Sequence, residues 1–250
     1  MTFLNHEKPL KTLMIQSDHL EYIYDVIARS PDADAFGLQL EKLPDELCTE
    51  ENLRRIFAAM NRPVYVTNYQ TSTNKEKTYD QLAEELKMLA RCGATLIDVM
   101  GDYYCKHPDE LTDDPAAIQK QKELIAELHA LGAEVLMSSH VLRYTPAERV
   151  LEIARAQVER GADIVKIVTK AENAEQEVEN LRIVTLLKKE LGETPFLYLS
   201  GGDCKILRRC GPMLGCCMWL CVLEHNEYAT STQPRIDKLQ QVLQGFDFTE

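Results

Sequence analysis

Short apolar runs alternate with amphipathic segments along the whole chain, at a period of roughly 30 residues. The apolar runs have the length of β-strands, and the segments between them place apolar residues three or four positions apart, as on one face of a helix. The predicted strands are residues 11–16, 35–41, 63–69, 96–100, 134–139, 163–168, 196–199 and 218–223. Helices are predicted between these strands and, over residues 235–243, after the last one.

This alternation predicts an α/β fold, and specifically a single (β/α)8 TIM barrel formed by residues 1–250. No shift in composition along the chain marks a linker between two domains. A doubly wound sheet is the alternative architecture. It is disfavoured because the first strand is not followed by the glycine-rich turn with which such sheets bind dinucleotides.

Composition and charge narrow the class of protein. The net charge is −12 and the pI is near 5.1, which argues against a nucleic-acid partner because such affinity depends on Lys and Arg. A local basic pocket for a small anion is still compatible with an acidic surface. The first eight residues contain no apolar signal segment, and no apolar stretch approaches the ~18 residues of a membrane span. We therefore expect a cytoplasmic protein without membrane contact, either monomeric or a homodimer.

The chain has eight cysteines, several of them close together between residues 204 and 221. They contain no Cys-x-x-Cys pair, so they do not match the usual spacing of a structural zinc site. In a chain of this length without a secretion signal, reduced thiols are expected rather than a disulfide framework. No metal site is predicted.

Lys166 is the charged residue whose position in the pattern is unusual. It lies in the middle of Asp163–Val168, a run that otherwise has the composition of a fully buried strand. Burial lowers the pKa of a lysine by disfavouring its charged form, which is how a lysine becomes a nucleophile near neutral pH. The structural alternative is a lysine that reaches solvent at the strand end or pairs with a carboxylate.

A histidine follows the neighbouring strand. The fifth predicted strand leads directly into His140, and the carboxyl ends of barrel strands carry the active site in this fold. Adjacent strands lie about 4.8 Å apart, so His140 and Lys166 can act on one substrate. A lysine that forms an iminium acidifies the neighbouring C–H bond, and a histidine can remove that proton. This pair predicts a Schiff-base lyase or an aldolase.

Further candidates follow the last two strands. Ser200, Gly201 and Gly202 precede Arg208, and an arginine fork suits a carboxylate. The alternative for this segment is a tight turn followed by a solvated basic helix face. Ser231 and Arg235 follow the eighth strand, where they could contact an anionic group or cap the final helix.

The chain resembles the type I 3-dehydroquinate dehydratases over nearly its whole length. The most specific part is Ser138-Ser139-His140 together with Asp163-Ile164-Val165-Lys166-Ile167. The resemblance implies that Lys166 forms the Schiff base, His140 is the general acid and base, Arg208 binds the substrate carboxylate, and Ser231 lies in the loop after the last strand. It implies no cofactor.

The substrate-reading positions depart from the family pattern. A Glu-x-Arg-x-Asp pattern on the second strand corresponds here to Gly37, Gln39 and Glu41, and the family arginine ending the third strand corresponds to Tyr69. The carboxylate that orients the histidine has no counterpart in residues 71–75, and Arg235 replaces a glutamine. An active site that loses its hydrogen bonds to substrate hydroxyls changes strongly in how it discriminates between substrates with and without those hydroxyls.

We therefore expect a lyase that eliminates water from a small cyclic hydroxy-ketone acid, with Gln39, Glu41, Tyr69 and Arg235 among the residues that contact it. Two alternatives remain open at this stage. One is an aldolase-like enzyme that uses the same lysine on another keto acid. The other is a barrel that binds a ligand without turning it over.

Overall fold

A computed structural model describes residues 1–202 and 204–245. The strands are β1 (Leu10–Ile15), β2 (Ala35–Gln39), β3 (Val64–Thr67), β4 (Leu96–Met100), β5 (Glu134–His140), β6 (Ile164–Ala171), β7 (Phe196–Gly202) and β8 (Met218–Cys221). The helices are α1 (Leu20–Ala28), α2 (Glu50–Met60), α3 (Tyr79–Cys92), α4 (Pro115–Ala130), α5 (Ala147–Glu159), α6 (Ala174–Leu191), α7 (Leu207–Leu214) and α8 (Ile236–Gly245). This order confirms the predicted (β/α)8 barrel.

The eight strands are parallel and pair in the order β7-β6-β5-β4-β3-β2-β1-β8. The ladder between β7 and β8 is missing, so the barrel is nearly rather than fully closed. One backbone bond crosses this seam at its lower end, where the Cys217 amide donates to the Phe196 carbonyl at 2.8 Å. The seam is therefore held mainly by side-chain packing.

Two layers of apolar side chains form the core. One layer fills the space between the strands and the surrounding helices, for example Ile56 and Leu86, each 0% exposed. The other includes the lower barrel interior, where Leu96, Leu136 and Ile164 occupy neighbouring strands. Above these apolar residues the inward positions become polar, and this change places a polar site inside the upper half of the barrel.

Helix ends follow the sequence cues. Thr78 and Gln81 form a reciprocal capping box at the start of α3, and Gly93 ends that helix with φ of 109°, a conformation that favours glycine. Asp114 caps α4 through its side chain. These local contacts fix where each helix begins and ends, and so where each loop at the carboxyl ends of the strands starts.

Some predicted boundaries are wrong. Strand β2 ends at Gln39, and Glu41 lies in a 3₁₀ turn over Leu40–Lys42 rather than in the strand. In this turn the Glu41 carboxylate is buried and accepts hydrogen bonds from Thr67 Oγ1, which stabilise the turn against β3. Strand β3 ends at Thr67, two residues before the predicted end.

The amino-terminal segment closes the lower end of the barrel. Phe3 is 3% exposed, and its ring meets the ring of Tyr65 edge-on at 6.5 Å. The Phe3 amide donates to the Glu134 carboxylate at 2.7 Å. Because β5 starts at Glu134, this contact fixes the segment to the first residue of an interior strand.

Within residues 1–202 and 204–245, no helix combines the length and the apolar composition needed to cross a membrane.

Candidate active site

The Lys166 ammonium lies inside the barrel and is enclosed by polar side chains from β3, from the loop that follows β3 and from β4. Lys166 is 4% exposed. Its Nζ donates to Tyr69 Oη at 2.8 Å, to Tyr65 Oη at 2.9 Å and to Asp98 Oδ2 at 3.0 Å. The buried ammonium is thus satisfied by one carboxylate and two phenols, as a charge in a protein interior requires.

Asp98 is the centre of this cluster. Both phenols donate to its Oδ2, at 2.5 Å from Tyr65 and 2.6 Å from Tyr69, and Ser138 donates to its Oδ1 at 2.5 Å. Burial alone would raise the pKa of Asp98, but the Lys166 ammonium and these donors lower it below its ordinary value. Asp98 is therefore a buried carboxylate that remains ionised.

His140 ends β5 two residues after Ser138, which pairs in register with Lys166. Because side chains alternate along a strand, Ser138 and His140 face the same side of the sheet as Lys166. His140 Nδ1 contacts Glu110 Oε2 at 2.8 Å, and its backbone amide donates to the same oxygen at 2.7 Å. With Nδ1–H donating to the carboxylate, Nε2 is left as the acceptor of the neutral ring.

Glu110 belongs to the loop between β4 and α4. Burial opposes ionisation of Glu110, but its bonds to His140 lower its pKa below the ordinary value. Its backbone has φ of 42°, in the left-handed region that costs a non-glycine residue energy. This conformation is held by contacts that the Glu110 backbone makes to Ser139 and His107.

A buried arginine fixes the same loop. Arg160 is 6% exposed and donates to the carbonyls of Gly101 at 2.8 Å and Thr112 at 2.6 Å, and to Gln121 Oε1 at 2.9 Å. Burial lowers its pKa below the ordinary value. Arg160 therefore binds both ends of the β4–α4 loop, which carries Glu110 between them.

Tyr69 and Glu41 form the other wall. Tyr69 is half-buried, and its ring meets the His140 ring edge-on at 5.4 Å. Glu41 is 2% exposed and accepts from Thr67 Oγ1 at 2.9 Å and from the Tyr69 amide at 3.4 Å. Burial raises the pKa of Glu41 despite these donors. Glu41 thus supports the loop that carries Tyr69, while Gln39 lies half-buried at the end of β2.

The space beside Gly37, which corresponds to the first position of the departed pattern on β2, is filled from another strand. A Cβ on Gly37 would collide with the Met14 sulfur and lie 3.3 Å from the Tyr65 ring. Met14 is 4% exposed and pairs in register with Gly37. An apolar side chain therefore occupies the space that a longer residue at position 37 would need.

Arg208 lies in the first turn of α7, after the carboxyl end of β7. Its Nε is buried and finds no hydrogen-bond acceptor among the residues that the structure describes. Burial lowers the pKa of Arg208 to about 10. A half-buried guanidinium with an unpaired donor is suited to an added carboxylate.

Ser231 and Arg235 lie in the region after β8, where both side chains are exposed. Arg235 precedes α8 and pairs with Asp237 in the first turn of that helix at 3.0 Å. Together with Arg209 and His225 they line a separate cavity of about 250 Å³ whose wall does not include Lys166. The structure therefore brings Lys166, His140 and Tyr69 together and leaves Ser231 and Arg235 outside this group.

All eight cysteines are free thiols. Among residues 1–202 and 204–245, His, Cys, Asp and Glu side chains form no cluster of three that could bind a metal ion.

Fold and site together define an eight-stranded α/β barrel with an enclosed lysine and a carboxylate-bound histidine on adjacent strands. A model of the type I 3-dehydroquinase family matches residues 6–247, and the chain belongs to this family. The 3-dehydroquinate dehydratase of Klebsiella pneumoniae is 30% identical over 94 residues, which are 37% of this chain and 36% of that protein. The chain thus matches little more than a third of the length of this curated relative.

Solved structures support the fold across nearly the whole chain. The 3-dehydroquinate dehydratase of Geobacillus kaustophilus superimposes with a TM-score of 0.81 at 14% identity, covering 98% of this chain and 94% of that one. The type I enzyme of Clostridium difficile, solved with covalently modified comenic acid, gives a TM-score of 0.77 at 15% identity, with coverage of 96% and 93%.

Several residues of this site cannot be identified from the sequence. In the sequence, Asp98 is one polar residue in an apolar strand, and Tyr65 is an aromatic residue of the kind that is common in strands. Glu110 lies in a loop without periodicity, 30 positions before the histidine that it contacts. The polar residue inside the apolar run of β4 is the one sequence feature that could have indicated Asp98, because a buried carboxylate requires a partner.

Proposed function

We propose that this chain is a Schiff-base lyase that eliminates water from a small cyclic hydroxy-ketone acid, with 3-dehydroquinate as the first candidate. The observation that carries the proposal is the enclosed Lys166 Nζ, bound to Asp98 at 3.0 Å, with His140 two positions further along the adjacent strand. Membership of the type I 3-dehydroquinase family supports the same reaction class.

In this proposal the Lys166 amine adds to the ketone and forms an iminium after loss of water. The iminium withdraws electrons from the neighbouring carbon and so acidifies its C–H bond. His140 removes that proton through Nε2, because its Nδ1 is bound to Glu110 at 2.8 Å. The protonated ring then donates to the leaving hydroxyl, which completes the elimination.

Arg208 is proposed to bind the carboxylate of the substrate. The buried Nε without a described acceptor supports this role, because a carboxylate would supply the missing hydrogen bond. The lysine provides the electron sink, so the proposed reaction requires no organic cofactor or metal.

Borohydride trapping tests the proposal. The protein is incubated with 3-dehydroquinate and sodium borohydride, and intact-mass and peptide analysis locates the adduct. We expect a mass increase on Lys166 equal to the ketone less water plus two hydrogens for the substrate adduct, or lighter by one further water for the adduct of the eliminated product. Lys166→Ala should abolish the adduct. Lys170→Ala is the matched control, since Lys170 lies on the same strand but is exposed.

The outcomes separate the classes of function. An adduct on Lys166 accompanied by formation of the unsaturated product, followed by its ultraviolet absorbance, supports the lyase. An adduct without turnover would instead indicate a binding protein. An adduct that forms equally in Lys166→Ala, or none in the parent protein, would refute the Schiff-base mechanism.

A further inference from the structure

Tyr69 occupies a position that connects the reacting groups of the proposed site. Its Oη accepts from Lys166 Nζ at 2.8 Å and donates to Asp98 Oδ2 at 2.6 Å. Its ring lies edge-on against the His140 ring at 5.4 Å. The phenol oxygen is therefore in direct contact with the nitrogen that would attack a ketone, on the side of the lysine nearest to the histidine.

Tyr65 makes the same polar contacts but lies on the closed side of the lysine. Its Oη is 2.9 Å from Lys166 Nζ and 2.5 Å from Asp98 Oδ2. It is 0% exposed, and its ring packs against Phe3 at the lower end of the barrel. Tyr69 instead follows the carboxyl end of β3 and is half-buried. A substrate that enters from the carboxyl ends of the strands meets Tyr69 and not Tyr65.

We propose that Tyr69 is a catalytic residue that relays protons from the Lys166 nitrogen to the substrate oxygen during imine formation. This inference rests on the proposed Schiff-base function. It gives Tyr69 a role in bond formation, in addition to any contact that its ring makes with the substrate.

Imine formation needs such a relay because its net reaction moves two protons from nitrogen to oxygen. In the first step the Tyr69 O–H turns from Asp98 to the ketone oxygen; the ammonium then passes a proton to the phenol oxygen while the phenol proton moves to the ketone oxygen. The freed amine lone pair then forms the C–N bond, and the C=O π bond opens to a hydroxyl group. The product is a protonated carbinolamine, and the phenol is regenerated.

The second step uses the same path. A second N–H proton passes to the phenol oxygen as the phenol proton moves to the carbinolamine hydroxyl. The C–O bond then breaks with its electron pair, water leaves, and the nitrogen lone pair forms the C=N bond of the iminium. One ammonium and one ketone thus give one iminium and one water, with the single positive charge conserved.

The neighbouring groups support this division of roles. Asp98 remains ionised and balances the positive charge before and after the step, since its pKa is lowered despite burial. Burial first, and then the Asp98 charge, raise the pKa of Tyr69 well above its ordinary value, so the phenol keeps its proton. His140 is held by Glu110 through Nδ1, which leaves its Nε2 for the later C–H step.

The rate of borohydride trapping with 3-dehydroquinate tests the inference in three proteins: the parent, Tyr69→Phe and Tyr65→Phe. For each protein, reactions at several ketone concentrations are stopped at successive times, and intact mass gives the fraction of protein that carries the adduct. These data give the maximal trapping rate and the half-saturating ketone concentration. Tyr69→Phe should lower the maximal rate about 100-fold or more, in the range of general acid–base catalysis, with little change in the half-saturating concentration. Tyr65→Phe also removes a contact to the resting ammonium, so its maximal rate should fall too, but about 10-fold less than that of Tyr69→Phe.

Three outcomes would overturn the inference. An equal fall in the maximal trapping rate of Tyr69→Phe and Tyr65→Phe would mean that both phenols affect the rate only by binding the Lys166 ammonium before the ketone enters. A raised half-saturating concentration with an unchanged maximal rate in Tyr69→Phe would mean that Tyr69 binds the substrate without relaying protons. An unchanged trapping reaction in Tyr69→Phe would refute any role, while the proposed function would stand. If the parent itself forms no adduct, the proposed function fails and the relay fails with it.

The fold of each variant is checked by circular dichroism and thermal unfolding. A third variant keeps the inference testable if Tyr69→Phe does not fold. Tyr69→His keeps an aromatic ring that can carry a proton. It should trap faster than Tyr69→Phe if the relay is correct. A rate no faster than that of Tyr69→Phe would count against the relay.

Discussion

At the scale of single residues, the barrel stabilises a buried ammonium by matching it to one carboxylate. Lys166 and Asp98 have side-chain exposures of 5% and 0%, and their charged atoms are 3.0 Å apart. Two phenols and Ser138 satisfy the remaining donors and acceptors of this pair. Removing one partner leaves an uncompensated charge, whereas removing both leaves an apolar core position, so the two substitutions should not be additive.

A double-mutant cycle of Asp98→Ala and Lys166→Met measures this coupling. Each single variant should lose about 3–5 kcal/mol of unfolding free energy, because it leaves the other charge buried and unpaired. The double variant should lose less than the sum of the two by at least about 1 kcal/mol. Urea unfolding of the four proteins gives these values. Simple additivity would show that the two charges are not coupled in the folded protein.

The pH dependence of stability reports on Glu41, whose pKa is raised by burial. The unfolded state loses the Glu41 proton at about pH 4.3, while the folded state keeps it to higher pH. Glu41 therefore reduces stability progressively as pH rises from that value through the folded pKa. Glu41→Gln has no proton to lose, so its unfolding free energy relative to the parent should increase between pH 4 and pH 8. A pH-independent difference would contradict the burial effect.

At the scale of secondary-structure elements, the β4–α4 loop determines how His140 is oriented. The loop places Glu110 at 2.8 Å from His140 Nδ1, and Arg160 at the end of α5 binds the loop through the carbonyls of Gly101 and Thr112. A Cβ on Gly101 would collide with the Glu110 carbonyl, so the close approach of the loop to β4 depends on glycine at this position. The histidine is thus oriented by an arginine that does not contact it.

Arg160→Met should separate elimination from imine formation. Loss of these charge-assisted hydrogen bonds should cost about 2–3 kcal/mol of stability and displace Glu110. Turnover of 3-dehydroquinate should then fall about 10-fold to 100-fold, while borohydride trapping on Lys166 remains near the parent rate. Turnover by ultraviolet absorbance and trapping by intact mass provide the two measurements.

The control for this variant is Arg155→Met on the same helix, where the arginine is 51% exposed and pairs with Glu190. That substitution should leave both rates unchanged, since exposed ion pairs contribute little. Equal loss of trapping and turnover in Arg160→Met would show that Arg160 supports the whole barrel and not the histidine alone.

The elements also show what the sequence can and cannot predict. Strand order, the inward placement of Lys166 and its proximity to His140 follow from periodicity and from the geometry of a barrel. Glu110 could not be found in this way, because a loop has no repeating pattern and its path depends on contacts from Arg160 and Gly101. The contact of Tyr65 with Lys166 could not be predicted either, because tyrosine is common in strands whatever its contacts. Tyr69 was predicted as a substrate contact, but its bond to the ammonium was not.

At the scale of the whole molecule, the sheet is interrupted between β7 and β8. Strands β7 and β8 lack a ladder, and the bond from Cys217 to Phe196 is the backbone link that the described residues make near the lower end. By contrast, β5 and β6 pair over five residues in register. Local opening is therefore expected to begin at the seam.

Hydrogen–deuterium exchange with peptide resolution tests this expectation. Peptides covering β8 should exchange faster than peptides covering β5, because fewer backbone bonds protect them. Added 3-dehydroquinate should slow exchange near Arg208 on α7 if that residue binds the carboxylate. Exchange of β8 as slow as that of β5 would show that side-chain packing alone keeps the seam closed.

Phe3 helps to close the lower end of the barrel. Because its ring packs below Tyr65, the path from Lys166 to the lower surface is blocked. In the proposed reaction, substrate, reductant and product would then all pass through the opening at the carboxyl ends of the strands. The water released on imine formation would have the same exit, so a ligand that fills this opening would keep that water beside the intermediate, where it would be available for the reverse hydrolysis.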